Sequence, residues 1–285
     1  VTFESNEVGA STFIDAITNK VHSITLNGHP LDVTSHSDGI RISLPNLQLT
    51  NTLVIDADAN YMNTGEGLHR FVDPVDNEVY LYSQFEVPDS RRMFAVFEQP
   101  DLKARFTFKV TGPSRWKVVS NQPTPTPVDH GNGTATWEFG ATPRISSYIT
   151  ALIAGPYVEA RSELTSSNGK VIPLGVFCRA SLAEFMDADY IFEKTRQGFE
   201  FYEKQFDVPY PFDKYDQLFV PEFNAGAMEN AGAVTFTETY VFRSKVADAT
   251  RERRVVTILH ELAHMWFGDL VTMRWWNDLW LNESF

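Results

Sequence analysis

The chain's 285 residues are enough for two domains with a core each, and 43% hydrophobic with 13% aromatic content describes a globular protein. A net charge of −13 argues against nucleic acid as a partner, since phosphate binding needs clustered Lys and Arg. No apolar run reaches the ~18 residues of a spanning helix, so no membrane partner is expected either.

The first half alternates at period 2. In "GIRISLP" Ile40, Ile42 and Leu44 share a face, as do Phe106, Phe108 and Val110 in "RFTFKVTG" and Trp137 and Phe139 in "TATWEFG". The turn signals "NGHP", "HSDG", "VDNE", "TGPS" and "HGNG" separate such runs. Asn132, in the last of them, opens the glycosylation sequon "NGT", read here as a plain hairpin turn. The Pro-rich "QPTPTP" at 122–127 lacks the backbone donors of a central strand and reads as a loop. Residues 1–157 are expected to form an all-β layered domain.

Beyond "AGPYVEARSE" the period changes. Ser181 and Glu184 read as a capping box for a helix carrying Phe185, Phe192, Phe199 and Tyr202, which ends near Phe206 before "VPYPF". A strand is expected near "DQLFVP" and another in the alternating "GAVTFTETYVF". A second helix is expected from about Thr250 to Phe267, with Gly268 as its cap. Residues 158–285 thus read as a mixed α/β domain. The single cysteine, Cys178 in "GVFCRA", reads as a buried small hydrophobe in a strand. With no disulfide and no leader pattern, the cytoplasm is the expected compartment.

The stretch "TILHELAHMWFGDL" places His260 and His264 four apart on this second helix. Side chains at that spacing lie one turn above each other, so both rings can present a nitrogen to one ion. Glu261 is rotated about 100° from His260. It is badly placed to bind that ion but can reach a water beside it. Either histidine alone would read as a core residue; the pair with a carboxylate between them favours a metal. A catalytic zinc takes three protein ligands and keeps one position open. Glu283, 19 positions beyond His264, is the expected third ligand. Trp280, Leu281 and Phe285 flank it, and an unpaired carboxylate among apolar residues is costly. Asp278 is the nearest competitor. No Cys lies close, which excludes a Cys-rich structural zinc site.

The run "HELAHMWFGDLVTMRWWNDLWLNESF" resembles the zinc aminopeptidases typified by aminopeptidase N, in the gluzincin group. The resemblance extends to "GAMEN" at 226–230 and to "YSQFEVPDSRRMFAVFEQPDLKARF" at 82–106. It implies a multidomain chain. An N-terminal all-β, saddle-like sandwich domain over 1–157 precedes an incomplete thermolysin-like α/β zinc catalytic domain over 158–285. It also implies a hydrolase of peptides with a free N-terminus, with one zinc at His260, His264 and Glu283 and with Glu261 as the general base. Glu229 and Glu86 are implied to hold the substrate's α-ammonium, and Gln84 to line the first side-chain pocket. Ala225, Gly226, Ala227 and Met228 are implied to contact the substrate, the small residues letting its backbone pair with an edge strand.

Three departures from the family pattern stand out. Ala225 occupies a position where some relatives carry Met, which should widen the first pocket. "FEQP" at 97–100 replaces the commoner "FDEP". The family's transition-state tyrosine and large helical domain lie well beyond the third ligand, whereas the sequence stops two residues after Glu283. A fragment with weak or no activity of its own is therefore expected. Two other readings share these features: a leukotriene-type epoxide hydrolase, and a non-catalytic relative that kept the fold.

Overall fold

The computed structural model of the chain describes residues 1–284; Phe285, expected beside Glu283, lies outside the described residues. In the first part, Thr50–Asp58 pairs with Thr2–Glu4 on one side and Lys20–Leu26 on the other, and His29–Leu31 completes a four-stranded antiparallel sheet. Asn27 and Gly28, both at positive φ, close the two-residue turn that "NGHP" announces. Ile14, Ile24, Ile42, Leu44 and Leu53 fill the core beneath. Ile40 is 53% exposed instead, because the strand begins at Arg41 and leaves Ile40 in the turn. Phe106 and Phe108 also fall outside a strand, which runs Lys109–Pro113, yet both rings pack against Phe94. The 122–127 segment is a loop, as its prolines require.

A five-stranded sheet faces the second domain, in the order Lys117–Ser120, Leu152–Gly155, Val79–Gln84, Gly67–Val72, Tyr61–Met62. Its Tyr80, Tyr82, Val119 and Ile153 form one core with Phe177, Leu218, Val220 and Ala233 of the second domain. The two domains therefore meet through apolar packing.

The second domain's sheet has the order Val158–Thr165, Val171–Cys178, Tyr215–Val220, Ala233–Thr237, Ala227–Met228. The two middle pairings are parallel and the outer two antiparallel. "GAVTFTETYVF" does not expose alternate residues: Ala233, Val234, Thr235 and Phe236 are all buried. One face packs on the first domain and the other on two helices, so both sides of the strand are dry.

Those helices are Ala188–Phe206 and Asp248–His264. Gly198 lets them approach: a Cβ there would lie 2.7 Å from Leu259 Cδ2 and 2.8 Å from Leu262 Cδ2. The first helix does not start at the expected capping box. The Ser181 hydroxyl is occupied, donating to Asp73 Oδ2 at 2.6 Å and accepting from Arg179 Nη1 at 2.8 Å. Residues 180–185 make a 3-10 turn instead, and the helix proper begins at Ala188. The second helix stops at His264, three residues before Phe267. Gly268, at φ +131, turns the chain so that the Asp269 N–H reaches the His264 carbonyl. No helix is long and apolar enough to cross a membrane among the described residues.

Candidate metal centre

The helix Asp248–His264 presents both histidines to one point. His260 Nε2 lies 3.0 Å from His264 Nε2 and 3.3 Å from Glu283 Oε2, with Glu283 Oε1 3.7 Å from His264 Nε2. The Phe267 carbonyl sits 3.2 Å from His264 Nδ1. A carbonyl only accepts, so Nδ1 carries the hydrogen and Nε2 turns its lone pair toward Glu283. Two imidazoles and a carboxylate, converging on one point, are a donor set that fits zinc. Asp278 joins no such cluster among the described residues.

Among the described residues the shelter expected around Glu283 is absent. Trp280 and Leu281 are exposed and the Glu283 side chain is itself 46% exposed. His260, not apolar neighbours, holds the carboxylate.

Glu261 is buried, and its Oε2 has no hydrogen-bond partner among the described residues. One oxygen of it lies within 4.8 Å of both a Glu229 oxygen and a His264 nitrogen. Glu229 follows the edge strand Ala227–Met228, is 3% exposed and leaves Oε1 unpartnered. Glu86 comes from the other domain, in the turn after the strand Val79–Gln84. Single oxygens of Glu86, Glu229 and Glu283 lie within 4.8 Å of one another.

So many carboxylates in a dry place resist ionisation. Burial, reinforced by Glu229 and Glu283, pushes Glu86 up to about 8, and burial with Glu283 pushes Glu229 up to about 7. Burial and then the Glu229, Glu283 and Glu86 charges raise Glu261 well above the usual range. His264 is pushed down to about 4 by burial and by His260, so its ring stays neutral, as a ligand must. The hydrogen bond with His260 lowers Glu283 and keeps it ionised. The hydrogen bond with Glu283 raises His260, which offsets the carboxylates only in part, and a metal ion or an ammonium would supply more positive charge.

Gln84 ends its strand opposite Gly67, with Oε1 buried and unpartnered. Ala225 and Gly226 are exposed, Ala227 is half-buried, and the Met228 side chain is fully buried in the core behind the sheet. Met228 can therefore offer a substrate only its backbone. A Cβ on Gly226 would meet nothing closer than Tyr240 Oη at 3.8 Å, so open space, not crowding, lies before that residue. "FEQP" proves structural: Glu98 accepts from Ser90 Oγ, the Arg91 N–H and Ser147 Oγ at 2.5, 2.9 and 3.0 Å.

Several residues near the site give no signal in the sequence. Asp269 is buried with both oxygens unpartnered, and burial and the Glu229 charge raise its carboxyl. Asn282, beside Glu283, donates to Tyr148 Oη of the first domain at 3.2 Å. Residues 222–224, which lead into Ala225, are clasped by the first domain. His69 Nδ1 accepts the Gly65 N–H at 3.0 Å, which leaves its Nε2 to face Glu222 Oε2 at 3.1 Å. Tyr82 Oη donates to the Glu222 carbonyl at 3.1 Å, and Asn224 Nδ2 donates to the Thr64 carbonyl at 2.5 Å. Glu222 itself sits at φ +53, a left-handed conformation that this grip holds in place.

Residues 190–285 match the peptidase family M1 domain and residues 18–149 the peptidase M1 N-terminal domain. The chain is 62% identical, over its whole length, to an aminopeptidase N of Streptomyces lividans, of which it spans 33%. It is 33% identical, again over its whole length, to a leucyl aminopeptidase of Saccharolobus solfataricus, spanning 35% of that protein. Over 73% of its length it is 40% identical to an aminopeptidase N of Homo sapiens, covering 22% of it. The chain thus spans about a third or less of these curated relatives.

Proposed function

The chain belongs to the peptidase M1 family, and from that premise we propose that it carries the metal- and amine-binding residues of a zinc aminopeptidase. Its substrates are peptides with a free N-terminus. The observation that carries this reading is the approach of Glu86, Glu229 and Glu283 within 4.8 Å, from both domains, beside His260 and His264.

His260, His264 and Glu283 would hold zinc, which when bound supplies Lewis acidity toward the scissile carbonyl. Glu261, with an unpartnered oxygen facing the same space, accepts a proton from the attacking water and passes it to the leaving amine. Glu86 and Glu229 hold the substrate ammonium and so fix which bond reaches the metal. The strand Ala227–Met228 ends the sheet, and its open edge offers a ladder to the substrate backbone. Gln84 and Ala225 border the space for the first side chain. Under the same reading, 1–157 is a saddle-like sandwich and the rest a thermolysin-like domain. The antiparallel edge strand beside the metal helix supports the latter.

Binding of a leucyl hydroxamate to the zinc-loaded protein tests the proposal, with its N-acetyl derivative as the comparison. A charge-assisted hydrogen bond contributes roughly 1.5–3 kcal/mol, so acetylation should weaken binding by about 10–150-fold. Equal affinity for both compounds would reject the amine site. Hydrolysis of leucyl-anilide but not of its acetylated form is the matching kinetic result.

A further inference from the structure

The helix that carries Glu283 is short and presents most of its side chains to solvent. The helix Trp280–Glu283 is four residues long, and Trp280, Leu281 and Glu283 are all exposed. Only Asn282 is buried in it. The Asn282 amide donates to Tyr148 Oη at 3.2 Å and lies 3.5 Å from Met273 Sδ. It also rests against the turn after His264, where a Cβ on Gly268 would sit 3.3 Å from Asn282 Nδ2 and 3.2 Å from His264 Nδ1. Just upstream, the Trp276 ring meets the Tyr148 ring edge-on at 5.6 Å. Tyr148 therefore grips this segment twice, through its ring and through its hydroxyl.

Tyr148 is a rigid support. It is fully buried, and both preceding serines are tied down: Ser146 Oγ donates to the Pro100 carbonyl at 2.5 Å and Ser147 Oγ to Glu98 Oε1 at 3.0 Å. Thr150 Oγ1 closes the turn onto the Ser147 carbonyl at 2.7 Å. All of these groups lie in the first domain.

We infer that Tyr148, acting through Asn282, is a positioning residue for Glu283, so that the first domain sets the metal affinity of the second. Tyr148 touches neither metal nor substrate in this role. It fixes the backbone from which Glu283 reaches the two histidines. The inference rests on the metal-centre reading above.

Zinc dissociation constants, measured by chelator competition on the full chain, test it. Tyr148→Phe keeps the ring and removes only the hydroxyl. It should raise the constant by about 10–100-fold, the range for supporting partners of metal ligands. Asn282→Ala should do the same, and the two changes together should cost little more than either. In a Glu283→Ala background, Tyr148→Phe should have no further effect, since the group it positions is gone. The cobalt(II)-substituted Tyr148→Phe protein should shift its visible absorption toward that of Glu283→Ala. An unchanged zinc constant in Tyr148→Phe, or an equal loss with and without Glu283, overturns the inference while the metal centre stands. A wild-type chain that binds no zinc, with Glu283→Ala indistinguishable from it, overturns both.

Discussion

Replacing Glu86 and Glu229 by Gln, singly and together, probes whether both carboxylates hold one ammonium. Charge-assisted N–H···O bonds run about 2.7–2.9 Å, and an ammonium nitrogen is tetrahedral, so two oxygens sharing it sit about 4.6 Å apart. Oxygens of Glu86 and Glu229 lie within 4.8 Å, which suits a shared guest without rearrangement. Each substitution takes the negative charge out of one such bond, at about 1.5–3 kcal/mol, and should lower kcat/KM for leucyl-anilide about 10–150-fold. KM should rise and kcat should fall together, because a loosened amine also misplaces the scissile bond. A metal-binding analogue lacking the amine should lose almost nothing in affinity in any of the three variants. Since one ligand bridges the two groups, the double variant should depart from additivity by about 0.5–3 kcal/mol. Strict additivity, or equal losses for the deaminated analogue, would refute the shared-ammonium geometry.

Glu261→Gln should leave one zinc per chain by metal analysis, yet reduce turnover by several orders of magnitude, because the proton acceptor is lost and the ligands are not; a kcat near wild type would assign the base elsewhere. Arg179→Met strands Asp73 and Glu238, which the guanidinium joins across the domains at 2.5 and 2.6 Å, and should destabilise the protein by about 3–5 kcal/mol in urea unfolding. A loss below about 1 kcal/mol would mean the link is mostly solvated. In metal-free protein, burial holds the Glu86 and Glu229 carboxyls at about 8 and about 7, above an unfolded value near 4.5. The folded state then binds more protons than the unfolded one between those values, so stability should fall as pH rises from about 4.5 to 8. Glu86→Gln should flatten that slope in urea titrations, and an unaltered slope would count against a buried pair of carboxylates.

The convergence of His260 and His264 was legible because helical spacing fixes geometry locally: the two need only one helix to meet. Glu283 was singled out for a reason the described residues do not support, since Trp280 and Leu281 are exposed and His260 holds the carboxylate. Glu86 entered through family resemblance alone. Nothing in "SQFEVP" indicates that it approaches Glu229, 143 positions along the chain, because that approach depends on how two domains dock. The capping box at Ser181 misled for the same reason: a distant carboxylate, Asp73, competes for the hydroxyl. Tyr148 and Asn282 look like ordinary core and surface residues until the domains are packed. Periodicity reports local structure well; it is silent about groups that meet only across an interface.

The clasp on residues 222–224 bears on how such a chain can be recombined. Glu222 and Asn224 belong to the second domain, but their partners His69, Tyr82 and Thr64 belong to the first. Grafting a foreign N-terminal domain onto this catalytic half would leave a left-handed Glu222 with nothing to hold it. The adjoining Gly226–Glu229 stretch would then relax while the histidine pair, built within one helix, kept its spacing. A chimaera of that kind should bind metal and yet fail to register a peptide. Viable chimaeras should therefore exchange the 61–69 segment together with the 221–225 segment.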